Sequence, residues 1–178
     1  MIIGLSGYAR SGKDSIAEYL VTDKGFVRVA FADSIKAALI KLNPILEDGR
    51  TLNEHVKRFG WDITKDRTET RRLLQVFGTE VGRDMFGNAF WVGLAFEKIY
   101  QYPEDTNFVI TDVRFPNEAD AIRSRGGKVW RVERDGVPPV NNHISELAMD
   151  DYDFDLILRN NHSLDTLFSM VDNEYQNV

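Results

Sequence analysis

The 178-residue sequence contains no cysteine. Disulfides, zinc–thiolate sites and cysteine nucleophiles are therefore excluded. It has only three histidines, no two of them at metal-ligand spacing, so a histidine zinc centre is not expected. Positive charge is the minority sign: 22 Lys and Arg against 28 Asp and Glu give a net charge of −6. No basic field would draw a long phosphate backbone, which argues against polymeric nucleic acid as a partner. A mononucleotide needs only a local basic cluster and is not excluded. No segment approaches the roughly 18 apolar residues of a membrane span. No N-terminal signal is expected, because a short apolar run gives way at once to a glycine-bounded loop. The expectation is a soluble cytoplasmic protein, off the membrane. There is no internal repeat, no low-complexity tract and no Gly-x-Ser-x-Gly motif.

That loop organises the rest. Met1–Leu5 is apolar, Gly7-Tyr-Ala9-Arg10-Ser11-Gly12-Lys13-Asp14-Ser15 follows, and Ile16 to Leu20 continue with helical spacing. Strand, glycine loop, lysine and helix together form the pattern of a phosphate-binding P-loop. Backbone N–H groups of such a loop converge on an anion, and the helix N-terminus adds favourable dipole charge. Lys13 is then placed to reach the β- and γ-phosphates of a nucleotide. The plain alternative is a glycine turn before an ordinary helix. The residue after the lysine is Asp14, where Ser or Thr usually binds Mg²⁺, and Ser15 comes one place later. A carboxylate beside phosphates is repulsive unless a cation lies between them, so Asp14 suggests a metal-dependent site with altered ligation.

At 43% apolar residues the chain can bury a sizeable core. The pattern predicts strands at residues 2–6, 27–31, 107–111, 128–134 and 156–158. Helices are predicted at about 12–22, 34–42 (capped by Asp33), 52–59 (closed by Gly60), 66–86, 89–100, 117–125, 143–149 and from Ser163 to about Glu174. In the 66–86 helix, Leu74, Phe77, Val81 and Met85 form one apolar face, and Arg72, Gln75, Thr79 and Arg83 form another. Two arginines and a glutamine can hold a phosphate and a base, although a polar helix face is often simply solvated. Gly78 weakens that helix by about 1 kcal/mol against Ala unless a close approach is needed there. In the closing helix Leu164, Leu167, Phe168 and Val171 are expected to face inward.

Strands alternating with helices imply an α/β fold, a five-stranded, mostly parallel sheet covered on both faces. We expect one domain over residues 1–178, with a helical substrate-binding insertion at about 43–104. Ligands of such sheets bind at the carboxyl ends of the strands. That directs attention to the loop after the first strand, Asp33 after the second, and Asp112 with Arg114 after the third. An acidic residue ending an apolar strand downstream of a P-loop holds Mg²⁺ directly or through water, and Asp112 fits. Asp33 can orient an acceptor oxygen, or merely cap its helix. Of Arg123, Arg125, Lys128, Arg131 and Arg134, one or two are expected to neutralise the transferring phosphoryl group.

The guanine-recognition and switch motifs of GTPases are missing, since Asp112-Val-Arg-Phe115 has no Asp-x-x-Gly. Four blocks together resemble the bacteriophage deoxynucleoside monophosphate kinases. They are Gly7 to Ser15; Ala30-Phe-Ala-Asp33-Ser-Ile-Lys36; Arg72-Leu-Leu-Gln75 through Gly78 and Arg83 to Trp91; and Thr111-Asp112-Val-Arg114-Phe-Pro-Asn117-Glu118. His143-x-Ser145-Glu146 follows them. The resemblance implies a P-loop kinase fold and phosphoryl transfer from ATP, with Mg²⁺, to a deoxynucleoside monophosphate, supplying DNA precursors. It implies that Gly7, Ala9, Arg10, Ser11, Gly12, Lys13, Asp14 and Ser15 bind ATP, and that Asp14 and Asp112 bind metal. Lys13, Asp33, Asp112 and Arg114 would be catalytic, and Lys36, Arg72, Gln75, Arg83, Trp91 and Arg114 would hold the acceptor. Tyr8 and Ala9 stand where some relatives carry basic residues. Other acceptors for the same fold are dephospho-coenzyme A and phosphomevalonate, and a nucleotide-binding regulatory module without turnover is a reading of another class. Small-molecule nucleotides are the expected partners, and the helix at 89–100 offers aromatics that suit either a homodimer or the core.

Overall fold

The computed structural model describes residues 1–140 and 143–175. They form two compact units, Met1–Ala30 with Lys98–Val178, and Phe31–Glu97. The strands are β1 (Ile2–Ser6), β2 (Val27–Val29), β3 (Phe108–Ile110), β4 (Lys128–Glu133) and β5 (Leu156–Arg159). The helices are α1 (Lys13–Lys24), α2 (Ala32–Leu42), α3 (Leu52–Thr64), α4 (Thr68–Val76), a π-helical stretch (Phe77–Arg83), α5 (Asp84–Phe86), α6 (Phe90–Ile99), α7 (Pro116–Arg123), α8 (Ile144–Leu147) and α9 (Leu164–Tyr175). Among the described residues no helix is long and apolar enough to cross a membrane.

In the first unit the five strands lie in the order β2-β3-β1-β4-β5 and every neighbouring pair is parallel. Parallel strands require crossovers, and the crossover helices cover both faces of the sheet. Ile3 and Leu5 of β1 join Val109, Trp130, Val132 and Leu158 in a buried core with Ile16 and Leu20 of α1 and Leu167 and Val171 of α9. Gly4, between them, points to the opposite face, where α7 lies against the sheet. A Cβ on Gly4 would stand 2.6 Å from Ile122 and 2.9 Å from Val113, so only glycine admits α7 this closely. Each fully buried Leu or Ile contributes roughly 1.5–3 kcal/mol relative to exposure. Helix α7 starts at Pro116, and the buried Glu118 carboxylate returns to accept the Arg114 and Phe115 N–H groups at 2.7 and 3.1 Å. The closing helix is as expected except at Leu164, which is exposed at its first position.

In the second unit, α2 begins earlier than expected. Phe31, already helical at φ −60°, ψ −35°, is its N-cap and makes no side-chain cap bond. Asp33 therefore lies inside the first turn, where its charge complements the helix dipole, and not at the cap. Helix α3 starts at a reciprocal box: Thr51 Oγ1 accepts from Glu54 N at 3.3 Å, and Thr51 N donates to the Glu54 carboxylate at 2.7 Å. It does not end at Gly60, which instead bends it with φ +76°. Leu39, Leu46 and Leu52 are buried with Ile35, Trp61, Leu73, Leu74 and Phe77 around them. The predicted 66–86 helix is present but not uniform. From Phe77 to Arg83 it winds as a π-helix, whose i→i+5 bonding widens the turn. The apolar face is displaced accordingly, and Met85 is exposed rather than inward.

Candidate active site

The P-loop joins the carboxyl end of β1 to α1, and its shape depends on backbone angles that few residues adopt. Gly7 has φ +138° and Gly12 has φ +114°. A Cβ on Gly7 would meet the Val132 carbonyl oxygen at 2.3 Å, and one on Gly12 would meet Asn160 Nδ2 at 2.3 Å. Both positions thus demand glycine twice over, for conformation and for space. Arg10 is exposed and takes the left-handed region without being glycine, at φ +67°. Ser11 N donates to Tyr8 O at 3.2 Å, closing the turn. Asn160, immediately after β5, donates from Nδ2 to Ser11 O at 2.8 Å and is buried.

Lys13 Nζ donates to the carbonyl oxygens of Gly7 and Tyr8, both at 2.6 Å. Its pKa is lowered to about 8, first by burial and then by the Arg114 charge, against the pull of Asp14 and Glu146. Arg131 adds to the lowering, so Lys13, Arg114 and Arg131 share one electrostatic neighbourhood. Such a cluster of cations stays together only if anions offset it. Two come from the segment around α8. Glu146 pairs with Arg114, and Asp150 pairs with Arg131 at 3.0 Å. The segment is set by His143, whose Nδ1 accepts the Ser145 N–H at 3.2 Å and so caps α8. Beside the P-loop a pocket of about 520 Å³ is lined by Tyr8, Ser11, Arg131, Arg134, Val137 and Asp150, among others. That volume lies within the range of small-molecule sites.

Of the remaining predicted positions in this unit, Ala9 and Ser15 are half-buried and Asp14 is exposed in the first turn of α1. Asp112 is half-buried just beyond β3. Of the five basic residues from which one or two are expected at the phosphoryl group, Arg131 and Arg134 line the pocket. Arg123 instead bonds Asp155 at 3.0 Å, and Arg125 bonds Tyr100 at 2.8 Å. No cluster of three or more His, Cys, Asp or Glu side chains exists among the described residues. Mg²⁺ in phosphoryl-transfer sites takes one or two carboxylates and fills its shell with phosphate oxygens and water. The pair Asp14 and Asp112 has the chemistry for that, and not for an all-protein cage.

The second unit holds the other predicted residues. Asp33 and Lys36 face each other at 3.7 Å on α2. Arg72 is exposed, Gln75 half-buried and Arg83 buried. Trp91 is buried, and its Nε1 donates to Gly78 O at 2.8 Å. Its ring lies over Gly82, where a Cβ would stand 2.1 Å from Nε1. Trp91 therefore braces the π-helical stretch that carries Arg83. The close approach considered for Gly78 falls chiefly on Gly82, since a Cβ on Gly78 would meet only Ile35 Cδ1, at 3.2 Å.

A parallel sheet with a P-loop, a half-buried lysine and strand-end arginines and aspartate at its carboxyl edge defines a P-loop kinase. The structure resembles the dephospho-CoA kinase of Campylobacter jejuni with a TM-score of 0.51 at 13% identity, covering 98% of this chain and 95% of that one. A likeness at that identity speaks for the fold. The family model "Deoxynucleotide monophosphate kinase" matches residues 45–171. A relative from Acanthamoeba polyphaga mimivirus carrying the same family name is 29% identical, over 96% of this chain and 94% of its own. The deoxynucleotide monophosphate kinase of Enterobacteria phage T4 is 33% identical over 61% of this chain, and that of Escherichia phage RB69 is 31% identical over 60%. The match spans 46% and 45% of the length of those two phage enzymes. The chain belongs to the deoxynucleotide monophosphate kinase family.

Sequence reasoning missed Asn160, Asp150 and the side chain of Tyr8. Asn160 was within reach, because it follows β5 just as Asp112 follows β3. Asp150 carries no local signal. It meets Tyr8 only through the fold.

Proposed function

We propose that the protein transfers the γ-phosphoryl group of ATP to a deoxynucleoside monophosphate, giving the diphosphate and ADP. The observation that carries this reading is Lys13, held half-buried at the P-loop beside Arg114 and Arg131 in a chain of this family. An oxygen of the acceptor's phosphate attacks the γ-phosphorus, and the bond to the β-phosphate oxygen breaks as ADP leaves. Little covalent work falls to the protein in such a transfer. It positions two anions and neutralises the charge that gathers between them.

The P-loop residues Gly7 to Ser15 cradle the donor's phosphates, and the 520 Å³ pocket beside Tyr8 and Ser11 takes its nucleoside. Lys13 exchanges its two carbonyl partners for phosphate oxygens. Arg114 exchanges Glu146 for the acceptor or transferred phosphate, and Arg131 or Arg134 faces the donor side. Asp14 and Asp112 would hold Mg²⁺, which supplies charge neutralisation between donor phosphates and carboxylates. The second unit supplies acceptor recognition through Lys36, Arg72, Gln75 and Arg83, with Trp91 fixing the stretch that carries Arg83. Asp33 orients the acceptor.

The test is an ADP-coupled assay of the protein with ATP and each deoxynucleoside monophosphate. Turnover with at least one is expected, and Lys13→Ala should abolish it. Arg72→Ala should raise KM for the monophosphate and leave KM for ATP nearly unchanged. Silence with all four acceptors, or turnover only with dephospho-coenzyme A, would overturn the proposal.

A further inference from the structure

Tyr8 is the second residue of the P-loop, and its backbone carbonyl is a node. It accepts the Ser11 N–H at 3.2 Å and the Lys13 ammonium at 2.6 Å. Its phenol reaches a residue far along the chain. Both carboxylate oxygens of Asp150 lie 2.8 Å from the Tyr8 hydroxyl. Asp150 also accepts from Arg131 Nη2 at 3.0 Å. The Arg131 guanidinium in turn lies 4.8 Å from the Tyr8 ring centre and 5.5 Å from that of Phe154. Arg131 is buried. One carboxylate thus ties a loop side chain and a strand arginine into a closed triangle.

Each leg has a physical reason. A glycine-bounded loop is conformationally permissive, and within its own backbone the Tyr8 carbonyl is held by the Ser11 N–H at 3.2 Å. Arg131 is buried beside other cations, so its charge needs an anion next to it. A carboxylate accepting both an O–H and a guanidinium N–H uses separate lone pairs for each. Burial and the bond to Asp150 push the Tyr8 phenol above its ordinary value.

We infer that Asp150 is a positioning residue for phosphoryl transfer: through the Tyr8 hydroxyl and Arg131 it holds the first half of the P-loop, and with it Lys13, in the geometry that receives the donor's phosphates. This deepens the proposed function and rests on its donor site. A merely structural tie would staple the segment after α8 to β4 and leave nucleotide binding alone. The positioning role predicts a selective loss at the donor.

The experiment uses the full chain, with ATP and the accepted monophosphate varied independently and ATP affinity measured by calorimetry. Tyr8→Phe removes one oxygen atom. Losing this solvent-exposed bond to a carboxylate is worth about a threefold to tenfold change, expected in both the KM and the Kd for ATP, with the acceptor KM within about twofold. Asp150→Ala should raise the ATP Kd at least about tenfold, as for loss of a charged bond, and also lower kcat. Asp150→Asn keeps an oxygen for the phenol and should fall between. The double variant Tyr8→Phe, Asp150→Asn should lose less than the sum of its parts. Tyr19→Phe breaks the comparable bond to Asp172, at 2.8 Å between α1 and α9, and should leave ATP binding unchanged. If Asp150→Ala does not fold, Tyr8→Phe decides alone. Wild-type values for ATP in Tyr8→Phe and Asp150→Ala, or strictly additive losses, would overturn the inference while leaving the kinase reading intact. No turnover by the unmodified chain would overturn the kinase reading, and the inference with it.

Discussion

The two units are stabilised by different means. In the first, a parallel sheet is buried on both faces and its strand ends are tied by long-range bonds: Asn160 to Ser11, Asp150 to Tyr8 and Arg131, Glu146 to Arg114. In the second, the helices rest on a smaller apolar cluster. There the buried atoms Asn53 Oδ1, His55 Nδ1, Thr64 Oγ1 and Thr70 Oγ1 have no hydrogen-bond partner, against Ser11 Oγ in the first unit. His55 itself is buried and bonds Asp48 through Nε2 at 3.0 Å. Buried polar atoms without partners cost stability. The contrast suits the proposed division of labour, in which the donor half is set in advance and the acceptor half is the looser one.

The sharpest way to break that contrast is to put a methyl group on matched glycines. Gly7→Ala meets both a φ of +138° and the Val132 carbonyl at 2.3 Å. It should cost about 3 kcal/mol or more and abolish ATP binding. Gly49→Ala in the second unit has a φ of +79° but open space around it, and should cost only about 1–2 kcal/mol, the left-handed penalty alone. Equal losses by thermal melting would mean that space in the P-loop does not matter.

A second test uses pH. Lys13 has a pKa lowered to about 8, while arginines stay charged throughout. Above that pH the free protein carries a neutral amine at the P-loop. The kcat/KM for ATP should then fall, approaching about tenfold per pH unit, and ATP binding should take up a proton. The monophosphate KM, resting on arginines of the second unit, should stay flat between about pH 8 and 9.5. Lys13→Arg should remove the alkaline limb. A monophosphate KM that climbs in step with the ATP limb would erase the distinction between the units.

The smallest effect is local to the second unit. Thr51→Ala removes the reciprocal box at the start of α3 and should cost about 1 kcal/mol. Hydrogen exchange should quicken within residues 45–64 and not in the β-strands. Faster exchange in β1 or β4 would show the two units to unfold as one.

What could be read from the sequence follows the same line. The P-loop was legible because glycine spacing, lysine and flanking elements report directly on backbone geometry. The parallel sheet followed from alternation of strands and helices. Asp33 was misplaced at the helix cap because Asp favours caps, whereas the chain starts the helix at Ala32 without a side-chain cap. The outward turn of Met85 was hidden because apolar periodicity assumes 3.6 residues per turn. Asp150 and Asn160 escaped because a tie over 142 or 149 residues leaves no mark in local pattern.

The π-helical stretch has one more consequence. A π turn holds an extra residue compared with the α-helix it interrupts. Deleting a single residue between Phe77 and Arg83 would let the run from Thr68 to Phe86 wind evenly. The side chains beyond it would keep their direction, since the widened turn already absorbs the extra residue; wound as α-helix without that deletion, they would swing by about 100°. The direction in which Arg83 faces is thus written in a count of residues rather than in any one side chain.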